Sequence, residues 1–497
     1  MKLSQVLEGV LVSKLFQTMY GRMVVTHDVE VHRIQYDSRK LEQGDCFVAI
    51  RGAAADGHSF IQAAVSKGAK VVAMERDDVM SDSFFMHNGV VKIVVPDSRK
   101  ALAVMSANYF GHPSKKLEMV GVTGTNGKTT TTYLIKSILE AAGKKVGLIG
   151  TIEYRIGDDA FPATHTTPES LELNEILSTM VDRGCSSASM EVSSHALHQS
   201  RVFGLNYNVA VFTNLTQDHL DYHGSMEEYF RAKRTLFMEM HPSFAVTNKD
   251  DEWGMKIVNG SSGKCLAYGA ATPADVTATD VALSIEGTRF TVAHKGETTS
   301  VSSQLVGRFN VHNILAAFSA GIALGVPKQD IQRGIASLTS VRGRFERVAS
   351  PAGWTAIIDY AHTPDALEKC LRAIHEVLPA KKRGKIITVF GAGGDRDRTK
   401  RPRMGRIVAD LSDVVIMTSD NPRTEDPDKI IDDVAAGISR RDGVHRQVDR
   451  KKAIEQAAAT AVAGDVVLIA GKGHEEYQVI GSERIHFSDR EVLGLYL

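Results

Sequence analysis

Gly124-Thr125-Asn126-Gly127-Lys128-Thr129 joins a short apolar run, Glu118 to Val122, to a stretch from Thr130 to Ala142 in which Leu134, Ile138 and Ala141 recur at helical spacing. Gly143 supplies a C-cap for that helix. A turn between a buried strand and a helix aims backbone N–H groups and the positive end of the helix dipole at one point, which is what a phosphate requires. Gly124 and Gly127 let the main chain approach phosphate oxygens, Lys128 suits the terminal phosphates, and the Thr129 hydroxyl is placed for Mg²⁺, with Thr130 following. The general spacing G-x-x-x-x-G-K-[ST] is not met strictly, because Val122 stands where its first glycine would fall. By itself the loop implies a nucleoside triphosphate.

Other residues of chemical interest sit where open α/β sheets place ligand groups, at the carboxyl ends of strands. Glu191 follows a strand-like segment, and His219 opens a loop after the Val209–Phe212 run. Lys233 lies in a helical stretch, Met226 to Phe237, where a lone lysine ordinarily reaches solvent. Far downstream, Arg423 closes Asp420-Asn421-Pro422-Arg423, a Pro-constrained turn offering a planar fork to a carboxylate. The plain alternative for residues 420–427 is a surface turn rich in Asp, Asn and Pro.

The elements that carry these residues fall into three textures. Residues 1 to about 115 mix short β-like runs (Cys46 to Ile50, Val71 to Ala73, Ile93 to Val95) with Ala-rich helical stretches. From Leu117 the pattern is strand, Gly-rich turn and helix, repeated, turning β-rich over 275–305 before a helix, Asn313 to Leu324, that Gly325 and Pro327 end. Thr339 to Glu346 is Arg/Gly-rich without apolar periodicity, which suits a linker. Beyond it, Trp354 to Ile358, Lys385 to Phe390, Val414 to Met417 and Val466 to Ile469 alternate with helical stretches as a second open α/β sheet. The expected fold is α/β in three domains, 1–115, 116–340 and 341–497, the central one a mostly parallel phosphate-loop sheet and the last Rossmann-like.

At 497 residues the chain exceeds one hydrophobic core. Its 59 Lys plus Arg balance its 59 Asp plus Glu, so no global field favours nucleic acid or an anionic membrane. No basic-then-apolar N-terminus marks a signal peptide, and no run approaches the about 20 apolar residues of a membrane helix. Cys46, Cys185, Cys265 and Cys370 are scattered, as in reduced cytoplasmic proteins, and form no zinc-like pair.

Thr123 to Thr130 resembles the ATP loop of the Mur ligases, which build the peptide stem of the bacterial cell-wall precursor. Met190-Glu191-Val192-Ser193-Ser194-His195, Asn214 to Asp221, and Asp359-Tyr360-Ala361-His362-Thr363-Pro364-Asp365 are similar to further motifs of that family, in the same order. His165 to Glu169, Asp420 to Arg423 and Gly471-Lys472-Gly473-His474-Glu475 resemble the branch that adds the third residue of the stem.

The resemblance implies a ligase that uses ATP and Mg²⁺ to phosphorylate the D-glutamate carboxylate of UDP-N-acetylmuramoyl-L-alanyl-D-glutamate. An amine then displaces phosphate from the acyl phosphate, with positioning and charge neutralisation doing most of the catalysis. It implies a second Mg²⁺ on Glu191 and His219, with Lys233 carrying a carbamate, and Lys128 as a further catalytic group. Asn310, Asn313, Arg344 and Asp359 match ATP-contact positions, although asparagines near a helix start serve equally as caps. Ser38, Thr166, Thr167, Ser193, Gln199 and Arg201 match positions for the uridine nucleotide. Ala53 and Ala54 stand where relatives carry polar side chains, leaving only backbone contacts there.

For the incoming amino acid, Arg423 attracts the extra carboxylate of meso-diaminopimelate and repels the bare ammonium of lysine. Arg396 offers a second carboxylate site, Gly471 and Glu475 receive an amine, and Asp420, Asn421 and Pro422 complete the set. A lysine-adding ligase, a folylpolyglutamate synthase and a nucleotide-binding scaffold without catalysis are the rival readings; the first 115 residues oppose the second. The expected protein is a cytoplasmic monomer.

Overall fold

The computed structural model describes all residues except 17, 20–21, 24–27, 53–54 and 379–383, and gives only the backbone of 18–19 and 22–23. The expectation for Ala53 and Ala54 therefore lies outside the described residues. The chain forms two compact units, Met1–Val276 with Ala316–Ile331, and Thr277–Leu315 with Gln332–Leu497.

The first unit holds two larger sheets. Lys14–Phe16, Val91–Val94, Val71–Met74, Cys46–Val48 and Ile34–Gln35 lie side by side in that order, parallel except for Lys14–Phe16 at the edge. Within this unit the part of the central sheet that concerns the site has eight strands, Asp159–Pro162, Glu153–Ile156, Val146–Ile149, Ser187–Glu191, Glu118–Thr123, Val209–Phe212, Phe244–Asn248 and Lys264–Gly269. Its last six strands are parallel and the first two antiparallel. The parallel strands Val146–Ile149, Ser187–Glu191 and Val209–Phe212 are buried at every position, as helices on both faces require. Leu173, Leu177, Met180, Met190, Phe212 and Phe237 are among the residues filling one such face. Polar bonds tie the two sheets' domains together: Tyr36 donates to Glu172 at 2.8 Å, and Arg99 pairs with Glu169 at 3.1 Å.

The second unit carries an antiparallel hairpin, Gly287–His294 with Glu297–Ser303, and a six-stranded sheet. That sheet runs Glu346–Ala349, Thr355–Asp359, Val466–Ala470, Ile386–Phe390, Val414–Met417 and Val444–Arg446, parallel but for the first strand. All four strands read from residues 354–469 are present.

Two local readings change. The helix placed at Asn313–Leu324 spans Arg308–Ala323. The residues read as a linker, Thr339 to Glu346, end in a strand and bury Val341 and Phe345. Here tertiary contact overrides polar composition: Gly343, at φ +65°, packs so close to residues 473–474 that a Cβ would lie 2.1 Å from the His474 nitrogen.

Candidate active site

In the first unit the polar residues of interest gather at the carboxyl ends of four adjacent parallel strands. Thr151 follows Val146–Ile149, Glu191 ends its own strand, Gly124 follows Glu118–Thr123, and Thr213 follows Val209–Phe212. Glu191 lies level with Val122, one strand away from the loop.

The loop itself is clamped by residues 213–216. The Thr125 N–H donates to the Asn214 carbonyl at 2.8 Å and the Asn126 N–H to Asn214 Oδ1 at 3.0 Å. Thr213 Oγ1 donates to the Asn126 carbonyl at 2.7 Å, and the Thr216 N–H donates to Thr125 Oγ1 at 3.0 Å. Gly124 sits at φ +150°, and a Cβ there would fall 1.9 Å from Thr213 Oγ1, so only glycine fits. Gly127, at φ +86°, caps the helix Lys128–Ala141, whose first-turn N–H groups face the loop. Thr129 and Thr130 are buried in that turn.

Two lysine side-chain nitrogens meet on one carbonyl. Lys128 Nζ donates to Gly124 O at 3.0 Å and to Thr125 O at 2.8 Å, and Lys233 Nζ donates to the same Gly124 O at 2.7 Å. Lys233 comes from the helix Met226–Met238, is 1% exposed, and lies 4.5 Å from the Tyr229 ring centroid. Burial, and then the charge of Lys128, push its amine well below the ordinary lysine range, with only Asp218 opposing. His219, in the left-handed region at φ +52°, lies edge-on to His195 with ring centroids 4.9 Å apart. The His195 imidazole is held down to about 4 by burial first, then by His219 and Arg201.

Glu191 takes the Thr151 N–H at 2.8 Å and Thr151 Oγ1 at 3.1 Å, and Thr151 Oγ1 is 3.0 Å from Thr166 Oγ1. Thr167 Oγ1 donates to the Glu191 carbonyl at 2.8 Å and accepts from the Ser193 N–H at 3.1 Å. Arg201 donates to the Thr167 carbonyl at 3.0 Å and to Gln199 Oε1 at 2.7 Å. Thr166, Thr167, Ser193, Gln199 and Arg201 therefore form one connected edge beside Glu191. Ser38 stands apart, its carbonyl accepting from Lys67 at 2.8 Å.

Among the described residues, no group of three or more His, Cys, Asp or Glu could hold a metal. Glu191 and His219 alone fall short of a metal centre. Lys233 as an ammonium worsens the fit, and as a carbamate it would bring the missing anionic oxygens. A Mg²⁺ ligated by nucleotide phosphates needs only one or two protein donors, which the Thr129 hydroxyl fits.

In the second unit the remaining residues again follow carboxyl ends of neighbouring parallel strands. Asp359 ends Thr355–Asp359, Gly471 to Glu475 follow Val466–Ala470, Arg396 follows Ile386–Phe390, and Asp420 to Arg423 follow Val414–Met417. Asp359 accepts from the N–H groups of Phe345 (2.6 Å) and Ala361 (2.8 Å), and Arg344 lies 5.0 Å from the Tyr360 ring centroid. Asn310 and Asn313 are buried within the helix Arg308–Ala323, bonded to Val306 O and to each other.

Arg423 adopts φ +53°, outside the range a non-glycine residue prefers, and donates to the Gly394 carbonyl at 2.7 Å. Arg396 is exposed on the same loop as Gly394. That loop is pinned by Glu425, which takes the Asp395 N–H and the Arg398 and Arg401 guanidinium groups. Asn421 Nδ2 donates to Glu475 Oε2 at 3.0 Å. Gly471, at φ +115°, would place a Cβ 2.6 Å from Asp420 Oδ2.

Sequence reading missed Thr151 and Tyr229 and gave no role of their own to Lys472, quoted only within its motif, or to the residues 213–216 that hold the loop, of which 214–216 were likewise quoted. The signal for the last was a polar run directly after a wholly apolar strand.

Comparison with known proteins agrees with this layout. The Mur ligase family catalytic domain matches residues 30–110, the Mur ligase middle domain 122–321, and the Mur ligase glutamate ligase domain 343–473. A UDP-N-acetylmuramoyl-L-alanyl-D-glutamate--2,6-diaminopimelate ligase of Clostridium tetani is 45% identical over 94% of both chains. The protein of the same name from Geobacillus thermodenitrificans is also 45% identical, covering 93% of this chain and 94% of its own. A solved structure of a ligase of that name superposes with a TM-score of 0.69 at 34% identity over 94% of each chain. With these three domains in order and this identity along nearly its whole length, the chain belongs to the Mur ligase family.

Proposed function

We propose that this chain is an ATP-dependent amide ligase that adds meso-2,6-diaminopimelate to UDP-N-acetylmuramoyl-L-alanyl-D-glutamate in peptidoglycan precursor synthesis. ATP supplies a phosphoryl group that turns the D-glutamate carboxylate into an acyl phosphate, and Mg²⁺ neutralises charge on the phosphates. The three domains divide as 1–115 for the UDP-sugar, 116–340 for ATP and 341–497 for the amino acid. The enzyme acts as a cytoplasmic monomer; no described helix is long and apolar enough to cross a membrane.

Gly124, Thr125, Asn126, Gly127, Lys128, Thr129 and Thr130 hold the triphosphate, with Asn310, Asn313, Arg344 and Asp359 for the rest of the nucleotide. The Thr125 and Asn126 N–H groups are spent on Asn214, so their part is to shape the loop and present side chains. Glu191, His219 and Lys233 as its carbamate hold the second Mg²⁺, and Thr129 the first. The depressed amine of Lys233 supports this, because only a neutral amine adds CO₂. Ser38, Thr166, Thr167, Ser193, Gln199 and Arg201 bind the UDP-sugar dipeptide. Arg396, Asp420, Asn421, Pro422, Arg423, Gly471 and Glu475 bind diaminopimelate.

One observation carries the choice of amino acid. Arg423 and Glu475, opposite in charge, lie on two loops that the Asn421 side chain joins, as a far end bearing both a carboxylate and an ammonium requires. The test incubates the protein with ATP, Mg²⁺ and UDP-N-acetylmuramoyl-L-alanyl-D-glutamate and compares meso-diaminopimelate with L-lysine. Phosphate release with tripeptide formation is expected for diaminopimelate. Equal turnover of lysine would defeat the assignment.

A further inference from the structure

Lys472 is 0% exposed, yet it carries an ammonium in the second unit. A buried cation is retained only where its donors are used. Its Nζ is 3.1 Å from Asn421 Oδ1 and 3.1 Å from Glu475 Oε2, and 5.5 Å from the Tyr477 ring centroid.

These bonds dictate how the neighbouring polar groups face. Asn421 Oδ1 also accepts the Val479 N–H at 3.0 Å. A backbone N–H and an ammonium are both donors only, so together they fix the amide oxygen toward themselves and send Nδ2 to Glu475 Oε2. Glu475 Oε2 then holds two donors, while among the described residues Oε1 has only the Tyr477 hydroxyl at 3.4 Å. One oxygen of the carboxylate is saturated by protein and the other is left able to receive a further donor. The same ammonium joins the turn that bears Arg423 to the loop that bears Glu475.

We infer that Lys472 is a positioning residue for the amino-acid acceptor, locking the Asn421 amide and the Glu475 carboxylate in the orientation that receives a substrate ammonium. This rests on the reading that Asn421 and Glu475 bind the amino acid. Lys472 reaches substrate only through them, so its removal acts on one substrate of three.

The experiment compares wild-type enzyme with Lys472→Met, which keeps the volume and loses the donors, and Lys472→Gln, which keeps one amide donor. Lys472→Met is expected to raise KM for meso-diaminopimelate about tenfold or more, the scale of a lost bond to a charged group. KM for ATP and for the UDP-sugar dipeptide should stay within about twofold, kcat should be little changed, and Lys472→Gln should fall between. An unchanged KM for diaminopimelate in a folded Lys472→Met overturns the inference. So does an equal loss of kcat/KM for all three substrates, and so does failure of both variants to fold. Wild-type enzyme that releases no phosphate with diaminopimelate overturns the underlying reading first, and that result is obtained without either variant.

Discussion

At the scale of single residues, the site is governed by charges that lack ordinary solvation. Lys233 has a carbonyl and an aromatic ring for company where a helix lysine normally has water. Replacing it with alanine is expected to lower kcat on the order of 10²-fold, as loss of preorganised charge does. A short carboxylic acid diffusing into the vacated space should restore part of the rate; full activity without any addition would refute its role. Arg423→Ala is expected to raise KM for diaminopimelate about tenfold or more while leaving ATP affinity near wild type, because a charged hydrogen-bonding group is lost from one subsite only. Steady-state kinetics in each substrate check it. Sequence named both residues but not their surroundings. Lys233 reads as a solvated helix residue because Gly124 lies far from it in the chain, and Lys472, quoted only as part of its motif, drew no role of its own for the same reason.

At the scale of elements, the strand–turn–helix around residues 118–141 was legible, since its apolar run and helical spacing are local. What holds the turn was not, because the clamp comes from the end of another strand. Gly124→Ala tests the clamp. It meets both a clash with Thr213 and a backbone angle that side chains avoid, a strain of about 1–3 kcal/mol. If that strain is released by deforming the loop, nucleotide affinity falls roughly tenfold to a hundredfold, measurable by titration with ATP. The segment 339–346 failed as a linker for the opposite reason: its polar residues bond to the protein, Arg342 donating to the His474 carbonyl at 3.0 Å.

At the scale of the molecule, three sheets could be counted in advance, but their grouping could not. The N-terminal and central domains share one unit through pairs such as Tyr36 with Glu172, which have no local signature. In the second unit, Arg401 first among its partners lowers the Glu425 carboxyl to about 2, from 4.5 when free. A carboxylate whose folded pKa is depressed stabilises above its unfolded pKa, and that contribution is lost as pH falls from about 4.5 toward about 2. The melting temperature of the second unit should therefore drop over that window. Glu425→Gln should flatten part of the drop, and an unchanged slope in the variant would exclude the pair as its source.

The carbonyl that receives both Lys128 and Lys233 bears on how such a sequence can evolve. Two positions remote in the gene share one acceptor, so a replacement at either alters the setting of the other and their effects cannot simply add. A library that randomises the two codons separately samples only broken halves, and compensated combinations appear only when both vary together.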